Sequence, residues 1–394
     1  MRAHLSLALS LALSSALPAA FAAQACNTAC LEHIHEGQAL ATKGLYKEAF
    51  DRFDAARAAA PQSSFPFSMA ASLLEKLSRD APQPQKLREQ ARAMAGRALE
   101  LDPDDPMAQE ALRNLENEGA SVLRPMQPEA HEVLVQAEAA FSSRRYVEAL
   151  ALYQQAMPLD PLSSLPWVGA GDCHYARRRW REAEGLFRRA TEIEPRNAQA
   201  WRFLSDALAQ QDKRRDAEGA LLSGIAAEPS QLPNWARLDQ LRAGAGLPLK
   251  RLALYRGIKV VADGARKGFE VQVNEDVGKQ AGTANGNFRM LLALAEVKLR
   301  SDASDQGKAL APFDIELGAW RSALQDAADA GKNPKERLAD PALRQMLAFA
   351  KDGQLEPAIL LLLYKESYRP ALEAWLARDP GGVRTFVDRY GIRP

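Results

Sequence analysis

The sequence predicts an all-α chain, a solenoid of antiparallel helix pairs followed by a mostly helical C-terminal region. Three observations carry that expectation. Trp167, Trp201 and Trp235 stand 34 residues apart. Pro161, Pro195 and Pro229 repeat with the same 34-residue spacing. Aromatic residues make up only 7% of a chain rich in alanine and leucine, a balance that favours helix over strand. A fixed period of this size marks an array in which each unit buries its apolar face against its neighbours. Arrays of this kind present extended binding surfaces.

The first residues have the pattern of an export signal. Arg2 supplies a positive charge, Leu5 to Leu17 form an apolar run broken only by small serines, and Pro18 ends it. Small residues around Ala22 and Ala25 offer cleavage sites, so residues 1–25 are expected to be removed. No later segment reaches the ~20 apolar residues of a spanning helix. The expected location is the bacterial periplasm. The 51 basic and 50 acidic residues nearly cancel, which argues against a general nucleic-acid binder.

Cysteines are sparse: Cys26, Cys30 and Cys173. In an oxidising compartment Cys26 and Cys30 can close a short disulfide. Two alternatives stay open. Cys26 follows Ala-Gln-Ala, which loosely resembles a lipobox and would make it a lipidated first residue. Cys26, Cys30 and His33 also fall on one helical face with His35 nearby, a set that could ligate a metal, although the spacing matches no recognised zinc module. Cys173 occupies a small-residue position of the repeat and is expected to be a buried, inert thiol.

Placing the three prolines in register aligns the rest of each unit. The first carries Ala137, Tyr146, Ala149, Tyr153, Ala156 and Pro161. The second carries Gly171, Trp180, Ala183, Phe187, Ala190 and Pro195. The third carries Ser205, Arg214, Ala217, Leu221, Gly224 and Pro229, departing from the pattern at Arg214 and Gly224. Small residues recur where two helices must approach closely, and a proline ends each second helix. This small–aromatic–alanine–aromatic–alanine–proline pattern resembles the tetratricopeptide repeat (TPR).

The resemblance extends to a looser copy at the N-terminus, through Gly37, Gly44, Tyr46, Ala49, Phe53, Ala56 and Pro61. A divergent pair follows, with helices at Met69–Arg79 and Gln90–Leu101, an extended connection through Pro82 and Pro84, and Pro103 as its close. An extra helix is expected at Pro106–Glu118. The resulting organisation is a leader (1–25), N-terminal TPR-like units (26–118), a linker (119–128), a central array with capping helices (129–246) and a C-terminal domain (247–394).

The family geometry implies a concave groove lined by the first helix of each unit. Extrapolated onto this sequence, the lining would be Leu134, Glu138 and Phe141, then Val168, Asp172 and Tyr175, then Arg202, Asp206 and Ala209. Glu138, Asp172 and Asp206 are 34 residues apart and would form a carboxylate ladder suited to a partner segment carrying basic and aromatic residues. Ordinary solvated polar positions are the alternative. The clamp with which some TPR domains hold a terminal carboxylate is not matched, because its stations are occupied by Leu134, Glu138, Gly169, Gln199 and Phe203. The run Arg177-Arg178-Arg179, with Arg181, Arg188 and Arg189, has acids at helical spacing and is expected to be a solvated face, with an anion-docking site as the alternative.

Beyond Leu247 the period is lost. Ile258–Val261 and Phe269–Val273 have the β-branched content of a small hairpin, with Asp263-Gly264 and Lys267-Gly268 as turn signals. Gly278 to Gly286 is expected to be a flexible loop lacking the ending of a phosphate-binding loop. Helices are expected near 287–300, 314–330, 341–351, 357–365, 368–377 and 382–390. The region resembles only uncharacterised helical tails that follow repeat arrays. No histidine lies in it, and Asp314 with Glu316 is its best acid–base candidate. The expected function is an exported scaffold or adaptor that binds a protein or peptide segment, with no cofactor. The alternative is an envelope enzyme whose repeats recruit substrate to a catalytic C-terminal domain.

Overall fold

The computed structural model describes residues 26–80, 84–102, 105–116, 123–252, 254, 256, 258–263, 268–273, 275–333 and 336–394. The leader, Pro82, Pro103, residues 119–122 of the linker, and Gly264 and Lys267 of the turn signals lie outside the described residues. The chain forms two compact units, Met1–Ala111 and Leu112–Pro394.

The first unit contains α1 (Thr28–Thr42), α2 (Tyr46–Ala59), α3 (Phe65–Asp80) and α4 (Pro84–Leu101), and α5 (Pro106–Glu116) begins within it. The Asn27 side chain caps α1 by accepting from the Cys30 backbone N–H at 2.9 Å. The α1–α2 pair closes tightly because Gly37 leaves room for Phe53, whose ring would lie 2.5 Å from a Cβ placed there. Two expectations change. Helix α3 starts four residues earlier than predicted. Pro84 belongs to no extended connection but opens α4, the one helical position where its missing N–H is harmless.

In the second unit the period is expressed directly. The pairs are α6 (Pro128–Ser142) with α7 (Tyr146–Leu159), α8 (Leu165–Ala176) with α9 (Trp180–Ile193), and α10 (Ala198–Ala209) with α11 (Arg214–Ala227). Helix α12 (Leu232–Ala243) begins a fourth unit. Each turn within a pair passes through a left-handed residue: Arg144, Arg178 or Asp212, with φ of 60°, 58° and 59°. Asp160, Glu194 and Glu228 cap the second helices just ahead of the three prolines.

Two of those acids tie a second helix back to the start of its own first helix, and the third reaches the C-terminal region. Asp160 accepts from Arg124 and from the Gln127 backbone N–H, which fixes the start of α6. Glu194 accepts from the Ser164 backbone N–H at 2.7 Å and its hydroxyl at 2.6 Å, fixing the start of α8. Glu228 is almost fully buried and pairs at 2.5 Å with Arg369, far along the chain. Two of the three tryptophans make a further set of ties: Trp201 Nε1 donates to the Pro195 carbonyl and Trp235 Nε1 to the Pro229 carbonyl, both at 2.9 Å.

The C-terminal region comprises β1 (Lys250–Arg251), β2 (Ile258–Asp263), β3 (Gly268–Val273), α13 (Glu275–Gly278), α14 (Ala284–Asp305), α15 (Pro312–Ala330), α16 (Pro341–Lys351), α17 (Leu355–Leu362), α18 (Arg369–Arg378), α19 (Gly382–Tyr390) and β4 (Ile392–Arg393). The β2–β3 hairpin is antiparallel, pairing Ile258 with Val273 and Val260 with Val271. A short parallel bridge, β1 to β4, ties the chain end to the segment after α12. It is too short to leave a pattern in the sequence. The expected loop through Asn285-Gly286 is instead the first turn of α14, because the Thr283 hydroxyl caps the Gly286 N–H at 3.1 Å.

One apolar core runs through both parts of this unit. Leu221, Leu222 and Ile225 of α11 and Trp235 and Leu238 of α12 pack in the same cluster as Phe288, Trp320, Phe349, Ile359 and Phe386. Ion pairs rim that junction: Glu228–Arg369, Arg242–Asp388 at 2.7 Å and Asp239–Arg393 at 3.2 Å. Deleting residues 257–394 should therefore expose a face of α11 and α12 and leave Glu228 with only the more distant Arg196, 3.8 Å away, as a cation. Thermal melts followed by circular dichroism and tryptophan emission should show loss of cooperative unfolding in the remaining array and red-shifted emission. Unchanged melting of the truncated array would contradict a shared core.

Candidate binding groove

First helices α6, α8, α10 and α12 are successive neighbours, and the second helices pack behind them. The row is possible because small residues sit where aromatic rings arrive. A Cβ at Gly169 would lie 2.2 Å from the Tyr153 ring, and one at Gly171 would lie 2.4 Å from Phe187. With its ring seated against α8, Tyr153 directs its hydroxyl to Glu138, donating to Oε1 at 2.7 Å. Burial and that carboxylate push the Tyr153 phenol far above its usual range, so it remains a donor.

The three ladder acids thus have three different situations. Glu138 is exposed and accepts from Tyr153. Asp206 is half-buried and accepts from Arg237 Nε of α12 at 2.5 Å. Burial raises its pKa, and Arg237 and Arg202 partly offset the rise. Asp172, between them, has no hydrogen-bond donor among the described residues. Burial lifts its pKa to about 7, the charges of Glu138 and Asp206 add to the rise, and Arg202 opposes it. Near neutral pH this carboxyl group is poised between its two protonation states.

Aromatic and basic groups complete the row. Tyr175 stacks edge-on against Trp180 at 4.7 Å, and Phe141 packs against Tyr146 at 5.4 Å. The Arg202 guanidinium lies 5.0 Å from the centre of the Phe203 ring. Between α10 and α12 the surface sinks into a pocket of about 680 Å³ lined by Arg202, Asp206, Pro233, Ala236, Arg237 and Gln240, among others.

Two expected lining residues are not on this surface. Leu134 and Val168, 8% and 6% exposed, belong to the cores between helices, packed with Tyr153 and Phe187 respectively. Each lies four residues before a ladder acid, and the ~40° offset that this spacing leaves is enough to carry a side chain from the row into the interior. Arg237 and Gln240 were missed. Gln240 stands 34 residues beyond Asp206, so the period itself could have located it.

Other candidate chemistry is committed elsewhere. Cys26 and Cys30 are joined as a disulfide, so neither sulfur is free as a thiolate ligand or a lipid attachment point. The Cys173 thiol is fully buried, and burial pushes it up to about 12. Asp314 and Glu316 diverge on α15, one exposed and one buried. Glu316 accepts from Trp320 Nε1 at 2.8 Å, Arg256 at 2.7 Å and the Tyr368 hydroxyl at 3.0 Å. Burial would raise its pKa, but Lys365, Arg256 and these donors hold it below the usual carboxylate range, as a packing anchor. Arg188 and Arg189 of the basic run are paired with Glu184 and Glu192.

The tetratricopeptide-repeat family model matches residues 176–241. None of the curated proteins matches the chain. Among solved structures, the Sgt2 TPR domain from Aspergillus fumigatus is 22% identical, covering 31% of this chain and 82% of its own, with a TM-score of 0.29. The TPR2AB domain of yeast Sti1, solved as a complex with pHSP90, is 13% identical over 55% of this chain and 98% of its own, with a TM-score of 0.29. YrrB, described as a TPR protein with an unusual peptide-binding site, is 17% identical over 55% of this chain and 98% of its own, with a TM-score of 0.24.

The position of Asp172 has a pH signature. A folded-state pKa near 7, above the unfolded value near 3.8, means the native state holds the proton more tightly. Stability should fall as pH rises from about 4 to about 7 and stay reduced above that. Asp172→Asn should therefore stabilise the protein by on the order of 1–2 kcal/mol at pH 8 and have little effect at pH 4. Urea unfolding of both proteins at the two pH values measures this, and equal differences at pH 4 and pH 8 would contradict it.

Proposed function

From the premise that the chain carries a tetratricopeptide-repeat array, we propose that it is an exported, non-catalytic scaffold that holds a segment of another protein along the first-helix row. The observation that carries this reading is the half-buried Asp172 carboxylate, without a donor among the described residues and set between two aromatic clusters and two further acids. A lysine or arginine of a partner segment would supply the missing donor and favour the ionised carboxylate. Aromatic residues on either side of that cation would lie against Phe141 and Tyr175. Glu138 and Asp206 would steer approach, and the pocket between α10 and α12 would receive the segment's continuation.

Export to the periplasm is supported by the leader pattern of residues 1–25 and by the Cys26–Cys30 disulfide, which suits an oxidising compartment. Among the described residues no helix is long and apolar enough to cross a membrane. The engagement of Glu316 by internal partners supports a packing role, rather than catalysis, for the strongest acid–base candidate of the C-terminal region.

A photo-cross-linking residue substituted for Tyr175 tests the reading in the native envelope. It should capture a defined set of proteins, and the paired substitutions Glu138→Lys and Asp172→Asn should reduce that capture several-fold. A set unchanged in identity and yield would contradict the groove.

A further inference from the structure

Opposite in charge to the groove, the turns within each helix pair form a second surface. The first turn presents Arg144 and Arg145, the second Arg177, Arg178 and Arg179, and the third Lys213 and Arg214, all exposed. These turns adjoin one another. Arg177 shares with Arg144 and Arg145 a pocket of about 520 Å³. The third turn reaches the second where Gln211 Nε2 donates to the Trp180 carbonyl at 3.4 Å and Lys213 Nζ pairs with Glu184 at 2.6 Å.

Helix ends sharpen the concentration of positive charge. The residues capping α7, α9 and α11 are Arg145, Arg179 and Lys213, and none makes a side-chain cap hydrogen bond. A cation at that station opposes the helix dipole, whereas Ser, Thr, Asp or Asn would complement it. Within the turns, Arg145 is paired with Glu148 and Lys213 with Glu184. Arg144, Arg177, Arg178, Arg179, Arg181 and Arg214 have no ion-pair partner among the described residues. An acid interrupts each turn: Glu148, Glu182, and Asp212 with Asp216. The pocket between the first two turns has an apolar floor of Tyr146, Val147 and Ala151, with Val147 69% exposed.

We propose that this edge binds an extended acidic polypeptide segment, with an apolar side chain of the segment seated on Val147 and its carboxylates on the free guanidiniums of successive turns. Guanidinium forks and uncapped helix N-termini both complement carboxylates. The interrupting acids would repel a continuous layer of phosphates, as on a bilayer or a nucleic acid, but leave room for carboxylates spaced along a chain. The apolar pocket adds a foothold that a phosphate backbone would not use. Because the groove takes the opposite charge, the two surfaces would let one molecule bridge a basic segment and an acidic one.

Fluorescence anisotropy tests the edge. The probe is a fluorescein-labelled peptide with glutamate at every third position and one central leucine, in about 50 mM salt, where exposed charges are weakly screened. The full mature chain should bind it saturably. The triple substitution Arg179→Glu, Arg181→Glu and Arg214→Glu should weaken binding at least about tenfold. Its melting temperature should hold or rise, because acids at helix N-termini complement the dipole. The corresponding glutamine substitutions should give an intermediate loss, and Arg188→Glu with Arg189→Glu, on the outer face of α9, should bind like the parent. Asp172→Asn should leave this binding unchanged, which separates a failure here from a failure of the groove. No saturable peptide binding, equal binding by the triple variant, or capture by phosphatidylglycerol vesicles in place of the peptide would each overturn the proposal.

Discussion

Close approach at two glycines is the constraint on which the rest of the second unit depends. The Tyr153 and Phe187 rings occupy the space that side chains at Gly169 and Gly171 would need. That fit sets the separation of the helices, and the separation places the first helices side by side. It also fixes the direction of the Tyr153 hydroxyl, which ends on Glu138. A packing requirement in the interior therefore becomes a hydrogen bond on the surface row. Inserting even one methyl group at Gly169 would force the ring or the helix aside, and overpacking of that kind costs about 1–3 kcal/mol.

The array ends in a way that repeat physics explains. Each unit buries its apolar faces against its neighbours, and a terminal unit has no following partner. Glu228 shows the solution. Its equivalents Asp160 and Glu194 bind the starts of the first helices of their own pairs, whereas Glu228, with Arg196 3.8 Å away, turns to Arg369 of the C-terminal region. Trp235 and Leu238 are covered by the same region. The C-terminal residues thus supply the contacts that another repeat would have made, and the last strand, pairing β4 with β1, secures their end.

Much of this was legible in residue spacing, and the gaps have physical causes. The 34-residue period located the three second helices, beginning at Tyr146, Trp180 and Arg214. It also located the carboxylate row. It did not distinguish Leu134 and Val168 from Glu138 and Asp172, because a period along the chain says nothing about the angle at which a helix face turns from core to surface. Nor did it reveal that the three ladder acids are unequal. Glu138 and Asp206 are satisfied by Tyr153 and Arg237, residues on other helices, so their pairing depends on packing. Of the three, Asp172 alone has no donor among the described residues, and its altered titration comes from burial and neighbours that only the folded arrangement supplies. Pro84 and Gly286 misled for a simpler reason: both residue types punctuate loops, yet each is tolerated in the first turn of a helix.

On the proposed reading, a basic side chain of the partner enters the row at Asp172. Carbon-13 NMR of that carboxyl group, titrated with pH in the presence and absence of a peptide containing one lysine between two aromatic residues, tests this most directly. The free protein should give a midpoint near 7. The bound form should titrate well below it, in the ordinary carboxylate range, because the lysine would stabilise the ionised form. Saturable binding of the peptide with an unchanged Asp172 midpoint would place the basic segment elsewhere and contradict the account.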